Sequence, residues 1–77
     1  MAEHQPLPVS GYKPQSEETV ALVNINKRQE ELALRTLDDL AQRSDIDKRW
    51  LAIGRTHLEQ AYMAINRSIF QPTRIDL

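Results

Sequence analysis

The most informative helical pattern in the chain is Ile46-Asp47-Lys48-Arg49-Trp50-Leu51-Ala52-Ile53-Gly54-Arg55-Thr56-His57-Leu58-Glu59-Gln60-Ala61-Tyr62-Met63-Ala64-Ile65-Asn66-Arg67-Ser68-Ile69-Phe70. Trp50, Ile53, Gly54, His57, Leu58, Ala61, Ile65 and Ile69 recur at helical spacing and form a broad stripe. Tyr62, Met63 and Phe70 widen that stripe beyond what a single partner helix covers. Gly54 and Ala61 leave room for another helix to approach closely. The pattern predicts a helix over about 46–70, stopped by Pro72, because proline lacks a backbone donor.

Working back from that helix, Ser44-Asp45-Ile46 reads as a turn, with Asp45 as its cap and Asp47 in the first turn. Upstream, Ser16 is a candidate N-cap, followed by Glu17 and Glu18 where the helix dipole favours negative charge. Nothing breaks a helix from there to about Arg43. Val20, Leu22, Val23, Ile25, Leu32, Leu34, Leu37, Leu40 and Ala41 fit a helical period better than an alternating one. Glu31–Arg35 and Asp39–Arg43 stand four residues apart in the favourable orientation. The expectation is an all-α chain: an antiparallel two-helix hairpin over 16–71, with helices at about 16–43 and 46–70. Residues 1–15 are an N-terminal arm and 72–77 a C-terminal tail. The helices would be roughly 36–41 Å long at ~1.5 Å per residue, and the short connection makes them neighbours.

The arm holds three of the four prolines, at positions 6, 8 and 14. Val9, Gly11 and Tyr12 are unusual choices for a segment that only faces water. A domain of 77 residues buries little core, and small scaffolds commonly need a staple. The chain has no cysteine, so disulfides are excluded, and His4 and His57 are its only histidines. Oligomerisation is the remaining common staple, and the excess apolar surface points the same way. Ten Lys and Arg against eleven Asp and Glu give a formal net charge of -1, which disfavours a DNA or RNA polymer as partner. A small anion needs only a few local cations and is not disfavoured. No apolar run reaches the length of a membrane span, and the N-terminus lacks the pattern of a secretory signal. The expectation is a chain without membrane association, acting inside a cell.

Catalytic chemistry finds little support. His57 and Glu59 are two residues apart and point to different helix faces. There is no histidine pair at zinc-site spacing, no G-x-S-x-G and no P-loop. No catalytic residue, cofactor or metal is expected, and His57 reads as a packed or interface histidine. Binding features are more suggestive. Gly11 permits close approach of backbone to a ligand, Tyr12 offers a flat face for a base, and Lys13 offers a charge. The simpler alternative is that Tyr12 pins the arm to a helix. Lys27 lies in line with Val20, Val23 and Leu34; it either snorkels to water or faces an anion at a subunit boundary. Arg67 either complements the C-terminal end of its helix or reaches a phosphate. Trp50 reads as core or interface.

The run Leu51-Ala52-Ile53-Gly54-Arg55-Thr56-His57-Leu58-Glu59-Gln60-Ala61-Tyr62-Met63-Ala64-Ile65-Asn66-Arg67 resembles the hairpin shared by two phage protein families. One is the second anti-CBASS protein, a sponge for cyclic oligonucleotides; the other is the first Thoeris anti-defence protein, which sequesters a cyclised ADP-ribose signal. Gly11-Tyr12-Lys13 and Ala21-Leu22-Val23-Asn24-Ile25-Asn26-Lys27 are also similar to the anti-CBASS protein. The Thoeris protein carries an additional strand-rich part for which this chain has no room, so the anti-CBASS resemblance is preferred.

That resemblance implies a compact homo-oligomer of hairpins, a hexamer in the family, in the cytoplasm of an infected bacterial host. It implies binding of cyclic dinucleotides such as 3′,3′-cyclic GMP-AMP between protomers, and of cyclic trinucleotides at a separate site, without cleavage. It places Gly11, Tyr12 and Lys27 at the dinucleotide site and Arg67 at the trinucleotide site. A twofold interface presents each residue twice, so one tyrosine and one lysine per chain suffice for two bases and two phosphates. The competing expectation is an oligomeric helical adaptor that grips a protein partner with its apolar face.

Overall fold

The computed structural model describes residues 10–11 and 13–77. Among the described residues the architecture is two helices and no strand: α1, Glu17–Ala41, and α2, Lys48–Phe70, packed against each other as a hairpin. They contain 25 and 23 residues, or about 35–38 Å at ~1.5 Å per residue.

Local chemistry sets the helix ends. Ser16 accepts the Thr19 amide at 3.1 Å through its Oγ, and Glu17 and Glu18 occupy the first turn. At the other end of α1, the Lys48 ammonium reaches back from the first turn of α2 to the carbonyls of Ala41 and Arg43. A cation there opposes the dipole of α2 but satisfies carbonyls that α1 leaves open. The turn departs from expectation in two respects. Asp47, not Asp45, caps α2, its carboxylate accepting the amides of Arg49 and Trp50 at 3.0 and 3.1 Å. Asp45 is instead held by Arg43 in a two-pronged ion pair at 2.7 and 2.9 Å, which leaves Asp39 without the Arg43 partner its spacing suggested. The Glu31–Arg35 pair forms, at 3.4 Å. Gln71 ends α2 in the left-handed conformation (φ 50°), its amide donating to Arg67 O, and Pro72 follows.

The seam between the helices is narrow. From α1 it takes Val23, Asn26, Glu30, Ala33, Leu37 and Leu40; from α2 it takes Leu51, Arg55, Leu58, Tyr62, Asn66 and Ile69. Spacings of three and four residues are those of a coiled-coil seam. Val23, 4 % exposed, is the one buried side chain among the described residues. The stripe expected on α2 is therefore split. Leu58 and Ile69 enter the seam, whereas Trp50 (63 % exposed) and Ile65 (45 %) stand one position before seam residues and face out. Trp50 and His57 are thus excluded from the core of the single hairpin, because the seam admits only about two residues per turn on each helix. No described helix is long and apolar enough to cross a membrane.

Candidate functional site

The site residues are placed by the seam near the open end of the hairpin. Asn26 Nδ2 donates to Asn66 Oδ1 at 3.0 Å, a half-buried pair that joins residues 40 apart in sequence. Lys27 follows Asn26, and Arg67 follows Asn66. One residue turns an α-helix by about 100°, in the same sense along each chain. In an antiparallel pair, those two steps carry both side chains to the same side of the seam. Lys27 and Arg67 therefore flank the asparagine pair on one face of the hairpin. Both are exposed, and among the described residues neither has a carboxylate within ion-pair distance. By contrast, Arg55 is paired with Asp38 at 2.9 Å, and the carboxylate holds its guanidinium above the ordinary value. Two cations left open on one face are each suited to an anionic ligand.

The cation face is also concave. Met63, Asn66, Arg67, Phe70 and Pro72 line a cleft of about 250 Å³, apolar except for the asparagine and the arginine. An apolar cleft with one or two polar groups at its edge is the usual make-up of a small-molecule site. Met63 and Phe70 lie one position after the seam residues Tyr62 and Ile69, so they share the side that carries Arg67.

At the Phe70 end of this face, the N-terminal arm meets the tail. The Gly11 carbonyl accepts both the amide of Thr73 and, at 3.3 Å, its Oγ1. Gly11 has φ +86°, and a Cβ there would fall 2.3 Å from the Thr73 carbonyl oxygen, so only glycine fits. Gln15 Nε2 donates to Phe70 O at 3.0 Å and to Lys13 O at 2.9 Å. Lys13 Nζ reaches Gln71 Oε1 at 3.4 Å. Gly11 is thus placed at the end of the hairpin nearest the cleft, and its carbonyl is taken by the tail. The remaining candidate, Tyr12, lies outside the described residues.

The opposite face has a different character. Leu22, Ile25, Leu32, Trp50 and Ile65 each precede a seam residue and are between 45 and 63 % exposed. Gly54, His57 and Ala61 belong to the same row and are also exposed. His57 therefore has no place in the hairpin seam. Among the described residues, no group of three or more His, Cys, Asp or Glu side chains could hold a metal ion.

Three features of the site escape periodicity alone: the asparagine pairing, the cleft lining of Phe70 and Pro72, and the arm–tail contacts. The first had a signal, since Asn26 and Asn66 both fall on the seam rows once the register is known. The contacts of Thr73 and Gln71 with the arm had none, because they depend on the direction in which Gln71 turns the chain.

The family model described as Acb2/Tad1, hairpin domain, matches residues 5–70. No curated protein and no solved structure matches the chain. The matched span takes in both helices and most of the arm, and it contains Gly11, Tyr12, Lys27 and Arg67. The all-helical hairpin, the open cations on one face and the extent of the match agree, and the chain belongs to the Acb2/Tad1 hairpin family.

Proposed function

We propose that this chain is a phage anti-defence protein that binds cyclic di- and trinucleotide second messengers and holds them without cleavage, so that CBASS signalling in the infected host cytoplasm is blocked. The observation that carries the reading is the family match over residues 5–70, which fits anti-defence and spans the arm as well as the hairpin. The geometry supports it: Lys27 and Arg67 share a face and have no ion-pair partner among the described residues, and Arg67 lines an apolar cleft.

In this reading Tyr12 stacks on a base and Lys27 neutralises a phosphate of a cyclic dinucleotide such as 3′,3′-cyclic GMP-AMP. Gly11 lets the arm approach the ligand. Arg67 serves a cyclic trinucleotide. The face bearing Leu22, Ile25, Leu32, Trp50 and Ile65 packs against other copies, and the symmetry of a homohexamer presents each cation more than once, as a multiply charged ligand requires. Sequestration needs only tight binding and slow release, and the members of this family form a small helical hairpin rather than a known enzyme class.

The same exposed apolar row favours a second reading, an oligomeric adaptor for a host protein. Denaturing the purified protein and identifying what it releases tests the two. An intact cyclic oligonucleotide, with the protein unchanged in mass, supports the sponge. A stoichiometric protein partner with no nucleotide supports the adaptor.

A further inference from the structure

The family match ends at residue 70, yet the tail beyond it is ordered against the arm. Gln71 turns left-handed, Pro72 blocks continuation of α2, and the chain doubles back so that Thr73 meets Gly11. Thr73 gives the Gly11 carbonyl two donors, its amide and its hydroxyl. The close approach requires glycine on the arm side, since a Cβ at position 11 would overlap the Thr73 carbonyl. Ile75 Cγ2 lies 3.4 Å from the same point, covering the contact with an apolar group. Further along the arm, Gln15 ties Lys13 to the last carbonyl of α2. The arm is therefore fastened on both sides of position 12 to the end of the hairpin that holds the cleft.

Ordering a proline- and glycine-containing arm costs conformational entropy for each residue fixed. A segment already held in place before the ligand arrives does not incur that cost on binding. We propose that Thr73 is a positioning residue for ligand capture: the tail clasps the arm by its Gly11 carbonyl and presets the arm beside the Lys27–Arg67 face. This rests on the sponge reading above, and it assigns to the tail a role that the matched family segment does not contain.

The test uses the full-length protein and two substitutions at one position. Thr73→Pro removes both the amide and the hydroxyl donor. Thr73→Val removes the hydroxyl and keeps the amide. Each is titrated with 3′,3′-cyclic GMP-AMP, and each is also melted without ligand. The expected result is a dissociation constant weakened about five- to tenfold for Thr73→Pro and within about twofold of the parent for Thr73→Val, with unliganded melting temperatures unchanged. Equal affinity for the parent and Thr73→Pro overturns the positioning role and leaves the sponge reading intact. A weaker Thr73→Pro that also melts well below the parent overturns it too, in favour of a purely structural tail. A parent that binds neither cyclic GMP-AMP nor a panel of cyclic di- and trinucleotides overturns the sponge reading, and the positioning role with it.

Discussion

Asn26 and Asn66 hydrogen-bond across the seam at 3.0 Å, and the residues that follow them, Lys27 and Arg67, are the two open cations of the site. A polar pair inside an otherwise apolar seam fixes register, because any slip of one helix past the other leaves both amides unpaired. The register in turn sets the distance between the two cations. Replacing Asn66 alone by Leu should lower stability by about 1–3 kcal/mol, since Asn26 then loses its partner. Replacing both by Leu should recover most of that loss or exceed the parent. A double-mutant cycle by urea unfolding checks this, and additive single effects would mean that the pair is not coupled.

Lys27 and Arg67 are exposed, so truncating either should leave the fold alone. Lys27→Ala should weaken cyclic dinucleotide binding by about tenfold or more, the usual scale for losing a charge-assisted hydrogen bond to phosphate. Arg67→Ala should weaken cyclic trinucleotide binding by a similar factor and spare the dinucleotide. Calorimetric titration of both ligands against both variants measures the four values; identical losses for the two ligands would contradict separate sites.

Ile25 and Ile65 precede the paired asparagines and so lie on the opposite face, 53 and 45 % exposed. On the oligomer reading, Ile25→Glu should shift the sedimentation profile from the oligomer toward the single chain and lower the melting temperature, because Val23 alone is buried among the described residues of the single hairpin. Thr56→Glu, one position past the seam residue Arg55 and therefore on the cation face, should leave the oligomer mass unchanged. An unchanged profile for Ile25→Glu would remove this face from the assembly.

Gln71 holds a left-handed backbone conformation that glycine adopts without penalty. Gln71→Gly should raise stability by about 0.5–1 kcal/mol, offset in part by the lost contact from Lys13. Thermal unfolding reads the change directly. A decrease would show that the exposed Lys13 contact outweighs the backbone term.

Arg43 holds the Asp45 carboxyl below the usual carboxylate range through their hydrogen-bonded pair. A carboxylate lowered in the folded state stabilises the fold at pH above its unfolded value, and that contribution is lost as pH falls through the folded one. Both side chains are open to solvent, so the effect is small and salt-sensitive. Melting temperature measured from about pH 6 down to about pH 2 should show a shallow acid loss, and Asp45→Asn should flatten part of it.

The helices were legible in the sequence because capping and periodicity are local. Ser16 marks the start of α1 by its side-chain oxygen and the two glutamates after it, and nothing further along the chain competes for it. Asp45 and Asp47 illustrate the limit. Both are good caps, and the choice between them is made by Arg43, which captures Asp45. The stripe on α2 looks like one surface in the sequence because period alone counts apolar residues without saying which row meets α1. Only the packed register separates Leu58 and Ile69 from Trp50 and Ile65. Lys27 and Arg67 stand out in the sequence only one at a time; their placement on one face follows from the antiparallel register and from no local signal. The Thr73–Gly11 contact spans 62 residues and depends on the turn at Gln71, which side-chain patterns do not encode.

The most direct test of the account is calorimetric titration of the full-length protein with 3′,3′-cyclic GMP-AMP, followed by denaturing the complex and identifying the released ligand. Tight binding in the parent, marked weakening in Lys27→Ala and recovery of intact ligand are the predicted results. Absence of binding to this ligand and to a panel of cyclic di- and trinucleotides, or recovery of linearised product, would contradict it.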